Sequence, residues 1–289
     1  MKEKLQLKSK NLCIDFSDID QYLGTRFEHF HFIKQVVLDK THTFLGIEKT
    51  INGQGTGGVG LMSGWLWKAP EQIKKIRNQY PILGVGVVNL KDNEQYSIRE
   101  NYPVEFVQTK QVMKKENLFS CELFQKDFYG YSYKILRTFE VKDNKLILKT
   151  RIENLGEKKI IAEQFCHNFL MFDQKMIYSS YKISLYGIKD LNIVRGKILL
   201  DKDYYFPKEF EQEQGSLALS FNYASDKSRI TRIENKATGT FVEIEDSFTS
   251  KRFYHWLSNW CLSPESFVEL NLEKNETEEF SKTYTFGYC

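Results

Sequence analysis

Two short segments carry the side chains best suited to acid–base chemistry. The first is Gln164-Phe165-Cys166-His167-Asn168-Phe169. Histidine titrates near neutral pH, so His167 at a strand end can serve as a general acid. The competing reading is a buried histidine bonded to a backbone carbonyl. The second segment runs from Trp256 through Trp260 and Cys261 to Pro264-Glu265-Ser266-Phe267. Aromatic surroundings disfavour the charged form of a carboxylate, which suits Glu265 to a general base; a surface glutamate in a turn is the alternative. Trp256 and Trp260 offer flat apolar faces of the kind that carry sugar rings. A third segment, Gly24-Thr25-Arg26-Phe27-Glu28-His29, brings a cation. The Arg26 guanidinium presents five donors in a rigid fork, matched to hydroxyls, carboxylates or phosphates; it could equally be structural, paired with Glu28 or another carboxylate. His29 and His31 alternate onto one strand face with Phe27. Finally, the glycine-rich stretch Asn52 to Gly60 has no Gly-Lys-Ser/Thr ending and opens no long helix, so it is neither a P-loop nor a dinucleotide fingerprint. A loop beside a ligand cleft and a plain surface loop both fit it.

Strands must position these groups. Tyr131 to Val141 is rich in β-formers, and Lys142-Asp143-Asn144 supplies turn chemistry. Leu146, Leu148, Thr150 and Ile152 then alternate with Lys149, Arg151 and Glu153, the period of a half-exposed strand. Asn154-Leu155-Gly156 turns the chain again, and Lys159 to Phe165 reads as the third strand of an antiparallel meander. Its alternation puts Glu163, Phe165 and His167 on one face. Further strands are expected at Phe32 to Leu38, Ile82 to Leu90 (followed by the turn Lys91-Asp92-Asn93), Phe241 to Glu245, Phe267 to Leu272 and Lys282 to Phe286. The best helix candidate is short, from Pro70 to about Gln79.

Composition agrees with an all-β chain. Aromatics are 15% of the 289 residues, and 22 Ile stand against only 5 Ala, the best helix former. With no linker, repeat or low-complexity block, residues 1–289 are expected to form one large antiparallel β-sandwich with few short helices. The net charge of +3 and the lack of an arginine stripe argue against a nucleic-acid partner. No apolar run is long enough for a membrane span, and the start lacks the apolar core of a signal peptide, so no membrane association and a cytoplasmic location are expected. The five cysteines are dispersed and form no CxxC pair, so reduced, mostly buried thiols are expected rather than a zinc site.

In order and spacing these segments resemble the galactose mutarotase-like superfamily, in particular the aldose 1-epimerase family. The resemblance rests on Gly24-Thr25-Arg26-Phe27-Glu28-His29, then Phe44-Leu45-Gly46, Gly84-Val85-Gly86-Val87-Val88, the aromatic meander, Cys166-His167-Asn168-Phe169, Cys261, Pro264-Glu265-Ser266-Phe267 and Thr283-Tyr284-Thr285-Phe286. It covers roughly residues 22 to 286. It implies a sandwich with a sugar cleft on its concave face, Glu265 as base and His167 as acid. Arg26 would contact sugar hydroxyls. His29, His31, Asn168, Trp256 and Trp260 are expected as further substrate contacts from the reading of the residues themselves. The resemblance also implies a small sugar or sugar derivative as partner and no metal or organic cofactor. The chain departs from the family in one place: where mutarotases carry a His-Gly-Gly loop, it has Thr56-Gly57-Gly58. That substrate-orienting group is then missing, or supplied by His29, His31 or His42. A noncatalytic sugar-binding protein on the same fold is the alternative function. Lyase or hydrolase chemistry finds less support, since no second carboxylate stands at a matched position for a glycosidase pair.

Overall fold

The structure is a computed structural model. It describes residues 4–48, 57–67, 78–91, 94–184, 187–208, 216–223, 230–250 and 252–289. Strands dominate, and every strand pairing among the described residues is antiparallel. The only helical elements described are single 3-10 turns at Ile19–Gln21 and Phe172–Gln174. Of the expected helix, residues 70–77 lie outside the described residues, and Gln79 opens the strand Gln79–Ile82.

A ten-stranded sheet and a seven-stranded sheet share one core. Phe16 of the smaller sheet meets Phe119 and Phe139 of the larger one edge to face, at 5.5 and 5.1 Å between ring centroids. Leu146, Leu148, Thr150 and Ile152 are all buried, as their alternation requires. Tyr131–Lys142 and Lys145–Asn154 form the expected hairpin, closed by Asp143 in the left-handed conformation at φ 53°.

The meander ends there, against expectation. Ile160–Asn168 does not pair with Lys145–Asn154. It crosses to the seven-stranded sheet and lies between Leu61–Trp67 and Val268–Leu272. The place beside Lys145–Asn154 is taken by the C-terminal strand Thr277–Tyr288. Asn154 makes the crossing: its fully buried side chain donates to the carbonyls of Lys158 and Leu272 and accepts from the Gly156 amide. The expected strand Ile82 to Leu90 is likewise two strands, Gln79–Ile82 and Gly86–Asn89. Gly84, at φ 75°, turns the chain between them, and its amide donates to the Tyr133 hydroxyl at 2.8 Å. The turn expected at Lys91-Asp92-Asn93 falls largely outside the described residues.

A buried ion pair links the large sheet to the segment before Ile33–Leu38, whose Glu28 also accepts from Trp65 of the smaller sheet. Arg137 reaches across from the large sheet to Glu28, whose carboxylate it meets through both Nη2 and Nε. Both groups are fully desolvated, so each depends on the other. Glu28 is therefore committed to the core and is not the partner of Arg26.

Candidate active site

His167 lies near the end of Ile160–Asn168, on the face it shares with Phe165 and Glu163. In register with it on the neighbouring strand are Met62, Gly64 and Leu66. Glu265 comes from a different sheet, on Leu262–Ser266, which pairs with Phe253–Ser258. The fold brings the two groups into contact. His167 Nδ1 lies 2.7 Å from Glu265 Oε1, and both side chains are nearly excluded from solvent. The two side chains expected to act as acid and base therefore stand side by side, hydrogen-bonded to each other.

The contact is held from beneath. The buried Ser263 hydroxyl donates to Glu265 Oε1 at 2.8 Å and accepts the Asn168 amide at 3.0 Å, so one side chain clamps both strands. Asn168, expected to touch substrate, is instead only 1% exposed and points away from the His167 face. Its side-chain amide donates to the Pro264 carbonyl and accepts the Tyr284 hydroxyl at 2.7 Å. It thereby fixes the spacing of the strands on either side of the pair. Behind it Lys282 forms a buried ion pair with Asp246 at 2.6 Å and also donates to Ser266, next to Glu265.

Aromatic rings enclose the histidine. Phe27 and Phe165 meet it edge to face at 5.1 and 4.8 Å, and Phe169 stacks parallel at 5.4 Å. Trp256, paired with Ser263 across the strands and so on the Glu265 face, packs against the cluster containing Phe27 and Phe169. Trp260 stands at the nearby turn, its amide donating to Ser258. The Arg26 guanidinium lies 4.9 Å from the Phe27 ring centroid, on the ring that also touches His167. Its Nη1 donates to both oxygens of Glu48, at 2.8 and 3.0 Å. The glycine-rich stretch reaches the same place: a Cβ on Gly58 would run into the Phe169 ring and lie 3.0 Å from Glu48 Oε2. Thr56, at the position of the family's loop histidine, lies outside the described residues.

His29, His31 and His42, the histidines that could have served the substrate, lie elsewhere. His29 stacks on Phe106 at 3.8 Å, and burial lowers its pKa. His31 holds the Ser17 carbonyl at 2.7 Å and packs against Phe119. His42 pairs with Asp173 at 2.7 Å. None of the three has a described contact with His167, Glu265 or Arg26. Glu48, Ser263 and Tyr284 also belong to this cluster, though the sequence assigned none of them a role. Among the described residues no group of three or more His, Cys, Asp or Glu is arranged to hold a metal ion, and no helix is long and apolar enough to cross a membrane. All five cysteines are free; three are buried and Cys289 is exposed.

No family model matches the chain. No curated protein sequence matches it either. Solved structures do. A galactose mutarotase related enzyme from Lactobacillus acidophilus superposes with a TM-score of 0.60 at 10% identity, covering 99% of this chain and 97% of that one. A galactose mutarotase-like protein from Clostridium acetobutylicum gives 0.57 at 13% identity, with 98% and 95% covered. An aldose epimerase homologue from C. elegans gives 0.55 at 11% identity, with 99% of both chains covered. At these identities the likeness is one of fold: the chain has the galactose mutarotase-like β-sandwich.

Proposed function

We propose that the protein is a carbohydrate isomerase of the aldose 1-epimerase type, working in the cytoplasm on a sugar with a free anomeric hydroxyl. The observation that carries this reading is the 2.7 Å contact between His167 and Glu265, made by residues from two sheets and walled by aromatic rings. Structural neighbours with epimerase and mutarotase names support it at the level of fold.

In this reaction the Glu265 carboxylate takes the proton of the anomeric hydroxyl. His167, in its protonated form, gives a proton to the ring oxygen as the C1–O5 bond breaks. Glu265 Oε1 is engaged by Ser263 and His167, so Oε2 is the atom that receives the proton. His167 Nδ1 stays on Glu265, which leaves Nε2 to serve the ring oxygen. The hydroxyl and the ring oxygen share one carbon, so an acid and a base standing side by side suit them. Rotation about C1–C2 in the open aldehyde, then the reverse proton transfers, closes the ring as the other anomer and restores both groups. Neither a metal nor an organic cofactor enters these steps.

Exchange NMR on a panel of reducing sugars tests the reading. Purified protein is expected to accelerate α/β interconversion, and Glu265→Gln to abolish the acceleration while sugar binding persists. A noncatalytic sugar-binding protein is the second reading. It is favoured by the way Arg26 is already paired with both oxygens of Glu48. Binding without any acceleration by the wild-type protein would decide for it.

A further inference from the structure

A cavity of about 590 Å³ opens on the face that carries His167, toward the opposite end of the same strand. Ile161 and Glu163 line it, and His167 is four residues further along. At about 3.3 Å per residue, that is roughly 13 Å from Glu163 to His167, longer than one hexose ring. Arg26 joins the two regions. It lines the cavity, and it lies on the Phe27 ring that also meets His167. Phe165, stacked on Phe267 at 4.8 Å, occupies the strand position between Glu163 and His167.

The lining has a distinct chemistry. Leu66, Ile98 and Ile161 are 46%, 45% and 44% exposed, and all three line this one cavity. Tyr80 and Tyr96, stacked on each other at 4.5 Å, add flat rings, and the Tyr96 hydroxyl is bonded to Thr25. The charged groups described there are Arg26, Glu163 and Glu269. Arg26 is paired with Glu48, and Glu163 with Arg252 at 2.7 Å. Phosphate recognition relies on clustered Arg and Lys; among the described lining residues there is a single cation against two carboxylates. Exposed aliphatic and aromatic surface with polar edges suits the two faces of a neutral sugar ring.

We infer that this cavity binds the further sugar units of a neutral oligosaccharide whose reducing-end ring lies at His167 and Glu265, so that the preferred substrate is longer than a monosaccharide and carries no phosphate. The inference rests on the isomerase reading for the position of the reducing end. The chain would leave that ring through a hydroxyl other than the anomeric one, which must remain free.

The test compares glucose, glucose 6-phosphate, cellobiose, cellotriose, maltose and maltotriose. Anomer exchange is followed by NMR, and binding by titration calorimetry. The variants are the wild type, the double variant Leu66→Ala/Ile161→Ala, whose side chains are exposed, and Glu265→Gln. We expect kcat/KM to rise with chain length in one of the two linkage series. Truncating the two cavity side chains should cut the longer substrate's kcat/KM about tenfold or more and leave glucose within about twofold. Equal kcat/KM for glucose and all its oligomers would overturn the inference while leaving the isomerase reading intact. A preference for glucose 6-phosphate would overturn it as well. Trisaccharide binding that weakens in the cavity variant, with no exchange by any protein, would sink the isomerase reading and support the cavity assignment.

Discussion

Ser263→Ala isolates what holds the candidate base. In the wild type this fully buried hydroxyl donates to Glu265 Oε1 at 2.8 Å and accepts the Asn168 amide at 3.0 Å. Alanine removes both bonds with little change in volume. A hydrogen bond to a charged group contributes about 1.5–3 kcal/mol, and a stranded buried amide costs about 1–3 kcal/mol. Partial relaxation brings the expected loss to about 2–4 kcal/mol. A chain of 289 residues has an unfolding entropy near 0.6 kcal/mol per kelvin at about 2.1 cal/mol/K per residue, so Tm should fall by roughly 3–7 °C. The same change frees Glu265 to shift relative to His167. Misplacing a reacting group by about 1 Å can cost about a hundredfold in rate, so kcat should drop about ten- to a hundredfold with KM little altered. Scanning calorimetry gives the first number and exchange NMR the second. A lower Tm with unchanged kcat would show that Ser263 is only structural and refute its role in aligning Glu265. An unchanged Tm would refute the energetic reasoning itself.

Three further outcomes follow from other parts of the molecule. Glu48→Gln should loosen Arg26 and raise KM for sugars by roughly tenfold with kcat largely kept, since it weakens a charge-assisted pair that touches only the binding side of the site; a kcat effect larger than the KM effect would contradict this. Arg137→Met should destabilise the fold by about 3–5 kcal/mol in urea unfolding, because it strands the Glu28 carboxylate in the core; a loss below about 1 kcal/mol would contradict it. His255 is fully buried, with its Nδ1 on the Tyr205 hydroxyl at 2.8 Å, and burial lowers its pKa to about 3. Between that value and the ordinary histidine range only the unfolded chain binds the proton, so stability is lost as pH falls. The slope is about 1.4 kcal/mol per pH unit. His255→Leu should remove close to one proton's worth of that slope between pH 6 and pH 4, as measured by urea unfolding; an unchanged slope would count against it.

The strands were largely legible because alternation reports which face of a strand is buried. It correctly separated Leu146, Leu148, Thr150 and Ile152 from their charged neighbours. Alternation says nothing of which strand lies next door, so the departure of Ile160–Asn168 to the other sheet was hidden. Its local cause, the buried side chain of Asn154, looks in the sequence like any turn asparagine. The glycine break at Gly84 was passed over because Val85, Val87 and Val88 dominate that segment. At the site, His167 and Glu265 were found through their motifs, and the fold brings them together. Glu48 and Ser263 were not, since each acts through a partner distant in sequence: Arg26 lies 22 residues from Glu48, and Asn168 lies 95 from Ser263. Asn168 adjoins His167 in the motif, but neighbours in a strand face opposite ways, and its side chain turns to Pro264 and Tyr284 instead of the substrate side.

The central claim is that His167 and Glu265 act as one unit on the anomeric carbon. Steady-state exchange rates for His167→Gln, Glu265→Gln and the double variant test it most directly, on whichever sugar the wild type interconverts fastest. Groups that work as a unit are non-additive: each single change should cost about 10²-fold or more in kcat, and the double change little beyond the worse single one. Wild-type protein that accelerates no sugar, or single variants whose losses simply multiply in the double, would contradict the account.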